Sequence, residues 1–342
     1  MKILVTGNLG YIGTALTNVL SENSFNFDGL DIGYFKNCNL TKNNQNFNQL
    51  YQDIRFLKSS DIKGYDTVIH LAALSNDPLG EFNPRLTKQI NYEATINLAE
   101  IAKRNGVKKF IFLSTQSLYG ISNTSRKVKE NDDKNPITEY AKTKWESEKE
   151  LIKMNNEDFV VTFLRPSTVF GFSSRLRCDI VYNNFLANAF TNKKIEILSD
   201  GTPWRPVVHI QDVCNAIIAC INAPSSIING EAFNIGYKNG NFKVKDLAFY
   251  ASKCVSNSKI FYSDKPSTDE RTYRVSFEKI YEKLANFYKP KWDLYEGGIE
   301  IIKFFDEINF NSVMFEGHTC NRLKTLKKLL QEKDINENLE FI

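Results

Sequence analysis

The chain has 342 residues, of which 42% are hydrophobic and 25% are charged, so it is long enough to form about two globular domains. Its 44 Lys and Arg residues exceed its 40 Asp and Glu residues by only four, which argues against nucleic acid as the main partner. Six scattered cysteines and the lack of a long apolar run are typical of a cytoplasmic protein with no metal site and no membrane partner.

Short apolar runs alternate with amphipathic stretches in the N-terminal half. The runs predict buried strands, and the amphipathic stretches predict helices. Strands are expected at Ile3–Val5, Phe27–Leu30, Thr67–His70, Phe110–Leu113 and Val160–Leu164, and helices at Tyr11–Leu20, Arg85–Arg104 and Glu139–Met154. This alternation predicts an α/β fold with a doubly wound parallel sheet, whose strands end at one edge where ligands bind.

The pattern is less regular after Gly171. Helices are predicted at Asp179–Thr191, Gln211–Ile221, Val244–Val255, Phe277–Leu284 and Asn321–Gln331, with a strand at Ala232–Ile235. No linker-like segment separates the two halves. We therefore expect a larger domain, formed by residues 1–171 and about 206–256, interwoven with a smaller domain formed by residues 172–205 and about 257–342.

A glycine-rich turn follows the first strand. Gly7, Gly10 and Gly13 form a GxxGxxG pattern, in which glycines permit a tight turn and a close approach of the backbone to a pyrophosphate. The free amides at the start of the next helix, which begins with Tyr11 and Ile12, favour phosphate binding. This arrangement predicts a Rossmann-type dinucleotide site.

An acidic residue follows the second strand. Asp31 lies about 20 residues after Gly10, where a carboxylate can bind the adenosine ribose hydroxyls and repel a 2′-phosphate. NAD is therefore favoured over NADP as the cofactor. Asp53 and Ile54 follow the next strand and are candidates for contact with the adenine, and a solvated Asp53 is the alternative.

Tyr140 and Lys144 form a YxxxK sequence, which places both side chains on one face of a predicted helix. A free tyrosine has a pKa of about 10, and lowering it to about 7 requires roughly 4 kcal/mol of phenolate stabilisation. A nearby ammonium and a cationic nicotinamide could supply that energy. YxxxK is common by chance, but here the hydroxyl-rich segment Ser114–Gly120 follows a predicted strand at the same edge.

In this order, the motifs resemble those of the extended short-chain dehydrogenase/reductase family, specifically its NAD-dependent nucleotide-sugar epimerases and dehydratases. The resemblance runs through Thr6–Gly13, His70–Ala73, Asn91, Ser114–Gly120, Tyr140–Lys144, Arg165–Gly171 and Trp204–Val213. It implies that the larger domain binds NAD and the smaller one a nucleotide sugar. It also implies cofactor contacts from Leu71, Ala72, Ala73, Asn91, Ser114, Tyr140 and Lys144.

The resemblance assigns chemistry to three residues. Tyr140 is the general base, Lys144 is its electrostatic partner, and Thr115 binds the reacting sugar oxygen, with Ser114 as the competitor for that role. The base takes a proton from a sugar hydroxyl, at C4 by resemblance, while hydride passes to the nicotinamide. Proton transfer of this kind contributes about 10²–10⁴ in rate.

Two positions separate the reactions within the family. Gln116 and Ser117 stand where the 4,6-dehydratases carry an Asp–Glu pair, so dehydration is disfavoured. The alternatives are 4-epimerisation, in which the keto sugar turns over and takes hydride back, and net reaction as a 4-dehydrogenase or 4-keto-reductase. Thr168 replaces the Asn usual in 4-epimerases. A catalytically idle NAD-binding regulator is a third alternative, against which the intact catalytic residues argue.

The substrate diphosphate requires cations and amide donors. Candidate substrate contacts are Ser75, Gln116, Ser117, Thr168, Asn184, Arg205, Arg271 and Arg274. A helix-capping Asn184 and a plain turn at Ser75 are the alternatives at those positions. His70 and His209 lie in apolar strands and are expected to be structural.

A narrower resemblance links Asp200–Pro206, Asp269–Val275 and Asn321–Leu323 to bacterial surface-polysaccharide enzymes. The helices Arg85–Arg104 and Glu139–Met154 match those that pair in the four-helix dimer interface of this family. We therefore expect a homodimer. Packing of the two helices against their own sheet is the alternative explanation of their apolar faces.

Overall fold

The computed structural model describes residues 1–41, 46–263 and 271–342. The strands are β1 Lys2–Thr6, β2 Asn26–Asp31, β3 Asn48–Tyr51, β4 Thr67–His70, β5 Lys109–Leu113, β6 Val160–Pro166, β7 Thr168–Phe170, β8 Lys194–Ile197, β9 Trp204–His209, β10 Ala232–Ile235, β11 Asn241–Lys243 and β12 Lys259–Tyr262. The helices are α1 Tyr11–Glu22, α2 Asp77–Gly80, α3 Pro84–Lys88, α4 Ala94–Arg104, α5 Glu139–Met154, α6 Val181–Asn192, α7 Ile210–Asn222, α8 Ser225–Ile228, α9 Val244–Cys254, α10 Glu278–Lys283, α11 Leu294–Glu307, α12 Ser312–Glu316 and α13 Arg322–Gln331. In these ranges, no helix has the length and apolar character that crossing a membrane requires.

Seven parallel strands form the central sheet, in the order β10-β6-β5-β4-β1-β2-β3. Successive side chains of a strand point to opposite faces. Ile3 and Val5 therefore join the apolar core that α1 and α7 cover, whereas Leu4 joins the core that α4 covers. Helices on both faces confirm the predicted doubly wound α/β fold.

Several predicted elements have the bounds that the sequence indicates. β4, β10 and α5 begin and end at the predicted residues. The predicted helix Arg85–Arg104 is instead three consecutive pieces, because a π-helical turn at Gln89–Glu93 joins α3 to α4. The sequence does not indicate the strands β7, β8, β11 and β12 or the helix α11, whereas β9 contains the strand expected at His209.

A smaller layer is built from chain segments that are far apart in sequence. Helices α6, α9 and α11 pack on one another, and β8 pairs in parallel with β12. A separate three-stranded sheet has the order β11-β9-β7, and its strands alternate along the chain with the elements of this layer. Helix α9 lies in the range predicted for the larger domain, yet it packs on α6 and α11. One apolar core runs from β1 to α11.

The C-terminal segment, residues 321–342, returns to the N-terminal half. Leu339 is buried in the same core as Leu4. The Tyr34 hydroxyl donates a hydrogen bond to the Leu339 carbonyl, and the Phe341 ring stacks on Tyr34 with 5.8 Å between ring centroids. Arg55 Nη1 donates to the Asn338 carbonyl at 2.7 Å. The loop after β2 is therefore held to the end of this segment.

Candidate active site

A cavity of about 670 Å³ lies at the carboxyl ends of β1, β2, β4 and β5, within the size range of ligand sites. Of the predicted cofactor and catalytic residues, it is lined by Gly7, Gly10, Tyr11, Ile12, Gly13, Asp31, Asp53, Ile54, Leu71, Ala72, Ala73, Ser114, Thr115, Tyr140 and Lys144. Of the predicted substrate residues, it is lined by Ser75, Ser117, Thr168, Asn184, Arg205 and Arg271. Asn91, Gln116 and Arg274 lie outside its lining.

The glycine turn brings backbone against backbone at the floor of the cavity. Gly7 has φ +75°, and a Cβ there would lie 2.5 Å from the Ala72 nitrogen. A Cβ at Gly13 would lie 2.3 Å from the Gly7 carbonyl oxygen. Gly10 is the N-cap residue of α1, and it has no side chain that could accept hydrogen bonds from the first amides of the helix. This cradle fits the diphosphate of a dinucleotide, because within the described ranges no side chain caps the positive end of α1.

Asp31 is held by the backbone at the end of β2. Its carboxylate accepts hydrogen bonds from Gly33 N at 2.7 Å and Leu9 N at 3.1 Å. Burial raises the pKa of Asp31, while these two amides oppose the rise. The oxygens are thus fixed at the cavity wall, in a position that fits a ribose. The Asp53 carboxylate accepts hydrogen bonds from Arg55, with 2.5 Å to Nη2.

Asn91 acts on the cavity through a neighbouring loop. Its Oδ1 accepts from Leu74 N at 2.8 Å, and its Nδ2 donates to the Leu74 carbonyl at 3.1 Å. The side chain is fully buried within the π-helical turn. Asn91 therefore fixes the segment that follows Leu71–Ala73, while those three residues themselves line the cavity.

Helix α5 carries Tyr140 and Lys144 into the cavity. Its first turn is capped by Thr138, whose hydroxyl accepts from Ala141 N at 3.3 Å. Burial raises the pKa of Tyr140 to about 12, and the charge of Asp77 adds to the rise. A hydrogen bond with Thr115 and the charge of Arg177 oppose it. The phenol is therefore a weak acid until further positive charge lies beside it.

Lys144 is fully enclosed. Its Nζ donates to the Leu113 carbonyl at 2.8 Å and lies 4.4 Å from the centroid of the Phe112 ring. Burial lowers the pKa of Lys144 to about 7. The adjacent Ser114 hydroxyl is buried and has no hydrogen-bond partner among the described residues, so it can bind a group in the cavity.

Gln116 and Arg274 are engaged elsewhere. The Gln116 amide donates to the Arg165 carbonyl at 2.9 Å and to the Ile235 carbonyl at 3.2 Å, so it joins β6 to β10. Arg274 donates to the Thr124 carbonyl at 3.1 Å and lies 4.8 Å from the Trp204 ring centroid. These contacts of both side chains are therefore with residues outside the cavity lining.

The predicted substrate residues that line the cavity are already held in place by the protein. The guanidinium of Arg205 donates to the Arg271 carbonyl, and Arg271 forms an ion pair with Asp77. Asn184 donates to the Cys178 carbonyl at 2.9 Å. Asp269 and Glu270, which belong to the predicted motif Asp269–Val275, lie outside the described residues.

Several lining residues were missed at the level of sequence. Arg177 forms a two-pronged ion pair with Asp179, at 2.8 and 3.0 Å, and donates to the Ser75 hydroxyl at 3.1 Å. Tyr273 and Arg322 also line the cavity. The charged pattern Arg175-Leu176-Arg177-Cys178-Asp179, within an apolar stretch, is the signal that could have indicated Arg177.

The sequence profile of the "NAD dependent epimerase/dehydratase family" matches residues 3–236. A protein of Bacillus subtilis (strain 168), described as an uncharacterized UDP-glucose epimerase, is 27% identical over 333 residues, which cover 93% of this chain and 100% of that one. The structure of UDP-glucose 4-epimerase from Thermotoga maritima with UDP-glucose is 26% identical, with a TM-score of 0.79, and covers 90% of this chain and 99% of that one. UDP-glucuronic acid 4-epimerase from Bacillus cereus, in complex with UDP-glucuronic acid and NAD, is 26% identical, with a TM-score of 0.76, over 90% of this chain and 100% of that one.

Proposed function

The chain belongs to the NAD-dependent epimerase/dehydratase family, and we propose that it is a nucleotide-sugar epimerase acting at C4. The observation that carries this proposal is the set of groups at one end of the cavity. Thr115 and Tyr140 share a hydrogen bond there, and Lys144 lies one turn further along α5. Positions 116 and 117 hold an amide and a hydroxyl, which do not form the acid–base pair that removal of water requires.

The residues of the chain provide the proton transfers. NAD, when bound, supplies a hydride acceptor and a positive charge. Tyr140 takes the proton from the sugar O4, which Thr115 orients, and returns a proton to that oxygen after the keto sugar has turned over. Because burial holds the pKa of Tyr140 at about 12, positive charge must stabilise the phenolate, and Lys144 and Arg177 are placed to contribute it.

Net oxidation or reduction at C4 is the second candidate. Thr168 lines the cavity, and by the family resemblance 4-epimerases usually carry Asn at this position. The shorter Thr side chain provides no amide to hold a keto sugar in a second orientation. The two candidates use the same base and differ only in whether hydride returns to the same sugar.

A panel of UDP-, GDP-, CDP- and dTDP-sugars separates these reactions. UDP-sugars come first, because the relatives named above include a protein described as a UDP-glucose epimerase and an enzyme solved with UDP-glucose. We expect a product of unchanged mass with inverted configuration at C4, seen by mass spectrometry and NMR. A keto sugar formed together with NADH would favour the second candidate. Loss of water would contradict the interpretation of Gln116 and Ser117.

The substrate-binding segments, the oligomeric state, the location and the biosynthetic role of the chain are also proposed. We propose that residues 172–205 and about 257–342 bind the nucleotide sugar, and that the chain forms a homodimer through α3–α4 and α5. The six buried free thiols support a cytoplasmic location. The narrower resemblance supports a role in surface-polysaccharide biosynthesis.

A further inference from the structure

Arg322 belongs to the motif Asn321–Leu323 of the narrower resemblance, which assigns it no role, and the proposed chemistry does not use it. It is the first residue of α13, beyond the range 3–236 that the family profile matches. Its side chain is 2% exposed and lines the same cavity as the glycine turn and Asp31. A buried arginine in a ligand cavity requires an explanation, because a buried charge is costly unless it is paired.

The protein partners of the Arg322 guanidinium are neutral. Nη2 donates to the Arg175 carbonyl at 2.6 Å, and Nη1 donates to the Thr319 carbonyl at 3.1 Å. The guanidinium carbon lies 4.8 Å from the Phe35 ring centroid. Among the described residues, no carboxylate lies within ion-pair distance of this guanidinium, whereas Arg177 has Asp179 as its partner.

Within the described ranges, Arg322 has no carboxylate of its own as a partner, because the nearest acidic side chain is already paired. The Asp179 carboxylate forms an ion pair with Arg177. Its contact with Arg322 is a hydrogen bond from the backbone N–H, at 3.4 Å, and not from the guanidinium. Burial lowers the pKa of Arg322, and the like charge of Arg177 adds to the lowering, whereas the charge of Asp179 opposes it. An anion in the cavity would therefore remove an existing penalty as well as form a new hydrogen bond.

The position of Arg322 identifies the anion. Phe35, on which it stacks, lies four residues after Asp31, in the loop at the dinucleotide end of the cavity. NAD carries its negative charge on the diphosphate. We propose that Arg322 binds the diphosphate of NAD, and that the C-terminal segment that carries it must detach before the cofactor can leave.

The attachment of the C-terminal segment supports the second half of this proposal. Tyr34 and Phe35 line the cavity, and the segment contacts both of them, through Leu339, Phe341 and Arg322. Arg55, beside the candidate adenine residues, is held by the Asn338 carbonyl. The segment thus holds Tyr34, Phe35 and Arg55 in place at the dinucleotide end and places Arg322 in the cavity lining. We therefore expect release of NAD to require its movement.

The experiment compares ADP-ribose, which carries the diphosphate and a second ribose, with adenosine, which carries neither. Affinities for ADP-ribose and for adenosine are measured by calorimetry on cofactor-free wild type, Arg322→Gln and Arg322→Lys, and retained NAD is quantified in each purified protein. Lys327→Gln is the matched control, because it removes one positive charge from an exposed position of the same helix. Phe341→Ala tests the attachment, with the rate of NAD release as the readout.

The expected results are specific to the phosphate. Arg322→Gln should bind ADP-ribose about tenfold or more weakly and adenosine unchanged, since a charge-assisted hydrogen bond is lost. Arg322→Lys should fall in between, Lys327→Gln should match wild type, and Phe341→Ala should release NAD faster. Equal losses for ADP-ribose and adenosine, or no loss for either, would overturn the role of Arg322. Unchanged release from Phe341→Ala would overturn the role of the segment.

If neither Arg322 variant folds, the proposal can still be tested by measuring amide hydrogen exchange in the wild-type protein. ADP-ribose should slow the exchange of amides in α13, and adenosine should not. Exchange in α13 that is the same with and without ADP-ribose would refute the proposal. These measurements involve no turnover, so their failure is distinguishable from failure of the C4 epimerase proposal.

Discussion

At the scale of single residues, burial acts in opposite directions on the pKa values of two titratable residues in the cavity, Tyr140 and Lys144. Burial raises the pKa of Tyr140 to about 12 and lowers that of Lys144 to about 7. Both shifts have the same cause, which is the removal of water from a charged form. The neutral forms are therefore stabilised together, and bound charge decides when either residue ionises.

The role of Tyr140 is tested by Tyr140→Phe, which keeps the ring and removes the hydroxyl. We expect turnover to fall by about 10²–10⁴-fold, because the proton acceptor is lost. Bound NAD, quantified after extraction, should be unchanged. Tyr92→Phe, which removes a hydroxyl from a partly exposed position, is the control. Turnover of Tyr140→Phe within tenfold of wild type would contradict the mechanism.

Lys144 predicts how stability depends on pH in the cofactor-free protein. Its pKa is about 7 when folded and 10.5 ordinarily, so between these values the unfolded chain holds a proton that the folded chain has released. Stability contributed by this residue therefore rises with pH across that interval. Wild type should gain free energy of unfolding relative to Lys144→Met between pH 7 and about 10, measured by urea unfolding. Parallel pH profiles would show that Lys144 is not shifted.

The position of a side chain could be predicted from the sequence where a motif lies within a helix whose start and end are both predicted. Tyr140 and Lys144 are one turn apart on a helix with predicted bounds, so their common face followed directly. Gln116 could not be placed in the same way. It lies in a short turn after β5, and its amide binds the carbonyls of β6 and β10, which come 49 and 119 residues later in the chain.

At the scale of elements, one buried ion pair fixes α5 on the sheet. Arg165 of β6 and Glu148 of α5 are joined at 2.9 and 2.5 Å, and their side chains are 4% and 3% exposed. Arg165 also donates to the Tyr119 hydroxyl at 3.1 Å. Since α5 carries Tyr140, this pair positions the Tyr140 phenol relative to the strand ends.

Glu148→Gln should therefore destabilise the protein by about 3–5 kcal/mol, because a buried Arg loses its compensating charge. Glu150→Gln, on the same helix, breaks the exposed pair with Lys153 and should cost about 1 kcal/mol or less. Denaturant unfolding of both variants gives the comparison. Equal costs would show that the buried pair does not hold α5.

The glycine turn is a second element with a matched control. Gly7 has φ +75° with a backbone atom 2.5 Å from a Cβ position, whereas Gly106 has φ +79° and nothing within 4 Å. Gly106→Ala should lose roughly 1–2 kcal/mol from the left-handed conformation alone. Gly7→Ala should lose more and should also lose NAD, as measured by thermal unfolding and cofactor content. Retained NAD in Gly7→Ala would contradict the assigned cradle.

The helix α11 and the strands β8 and β12 could not be predicted from local sequence patterns, for a common physical reason. Helix α11 contains Gly297 and Gly298, which disfavour a helix in isolation. A Cβ at Gly298 would lie 2.6 Å from the Cys254 sulfur, so the glycine is there for close packing on α9. The strands β8 and β12 have four residues each and gain their regularity from pairing with each other. Tertiary contacts, which no local pattern encodes, create these elements.

At the scale of the whole molecule, the proposed dimer face has an unusual character. Lys88 and Glu93 are exposed beside α4, as are Lys142 and Lys149 on α5. An interface of this composition would depend on charge pairing, which salt screens.

Light scattering on a sizing column should accordingly give twice the 39.3 kDa chain mass at low salt, with a shift towards the monomer as salt rises. Lys149→Glu should change this salt dependence, whereas Lys327→Gln, which is outside the face, should not. A monomer at every salt concentration would exclude the dimer.

The contact between Tyr34 and the C-terminal segment also constrains how the protein is made. Tyr34 meets Leu339 across 305 positions of sequence. During synthesis, the loop that follows β2 stays uncovered until those residues have left the ribosome, long after the strands around it can pair. Contacts this distant in sequence form slowly. A peptide fused after residue 342 would emerge against this loop, so we expect C-terminal fusions to lower the yield of NAD-loaded protein more than N-terminal ones.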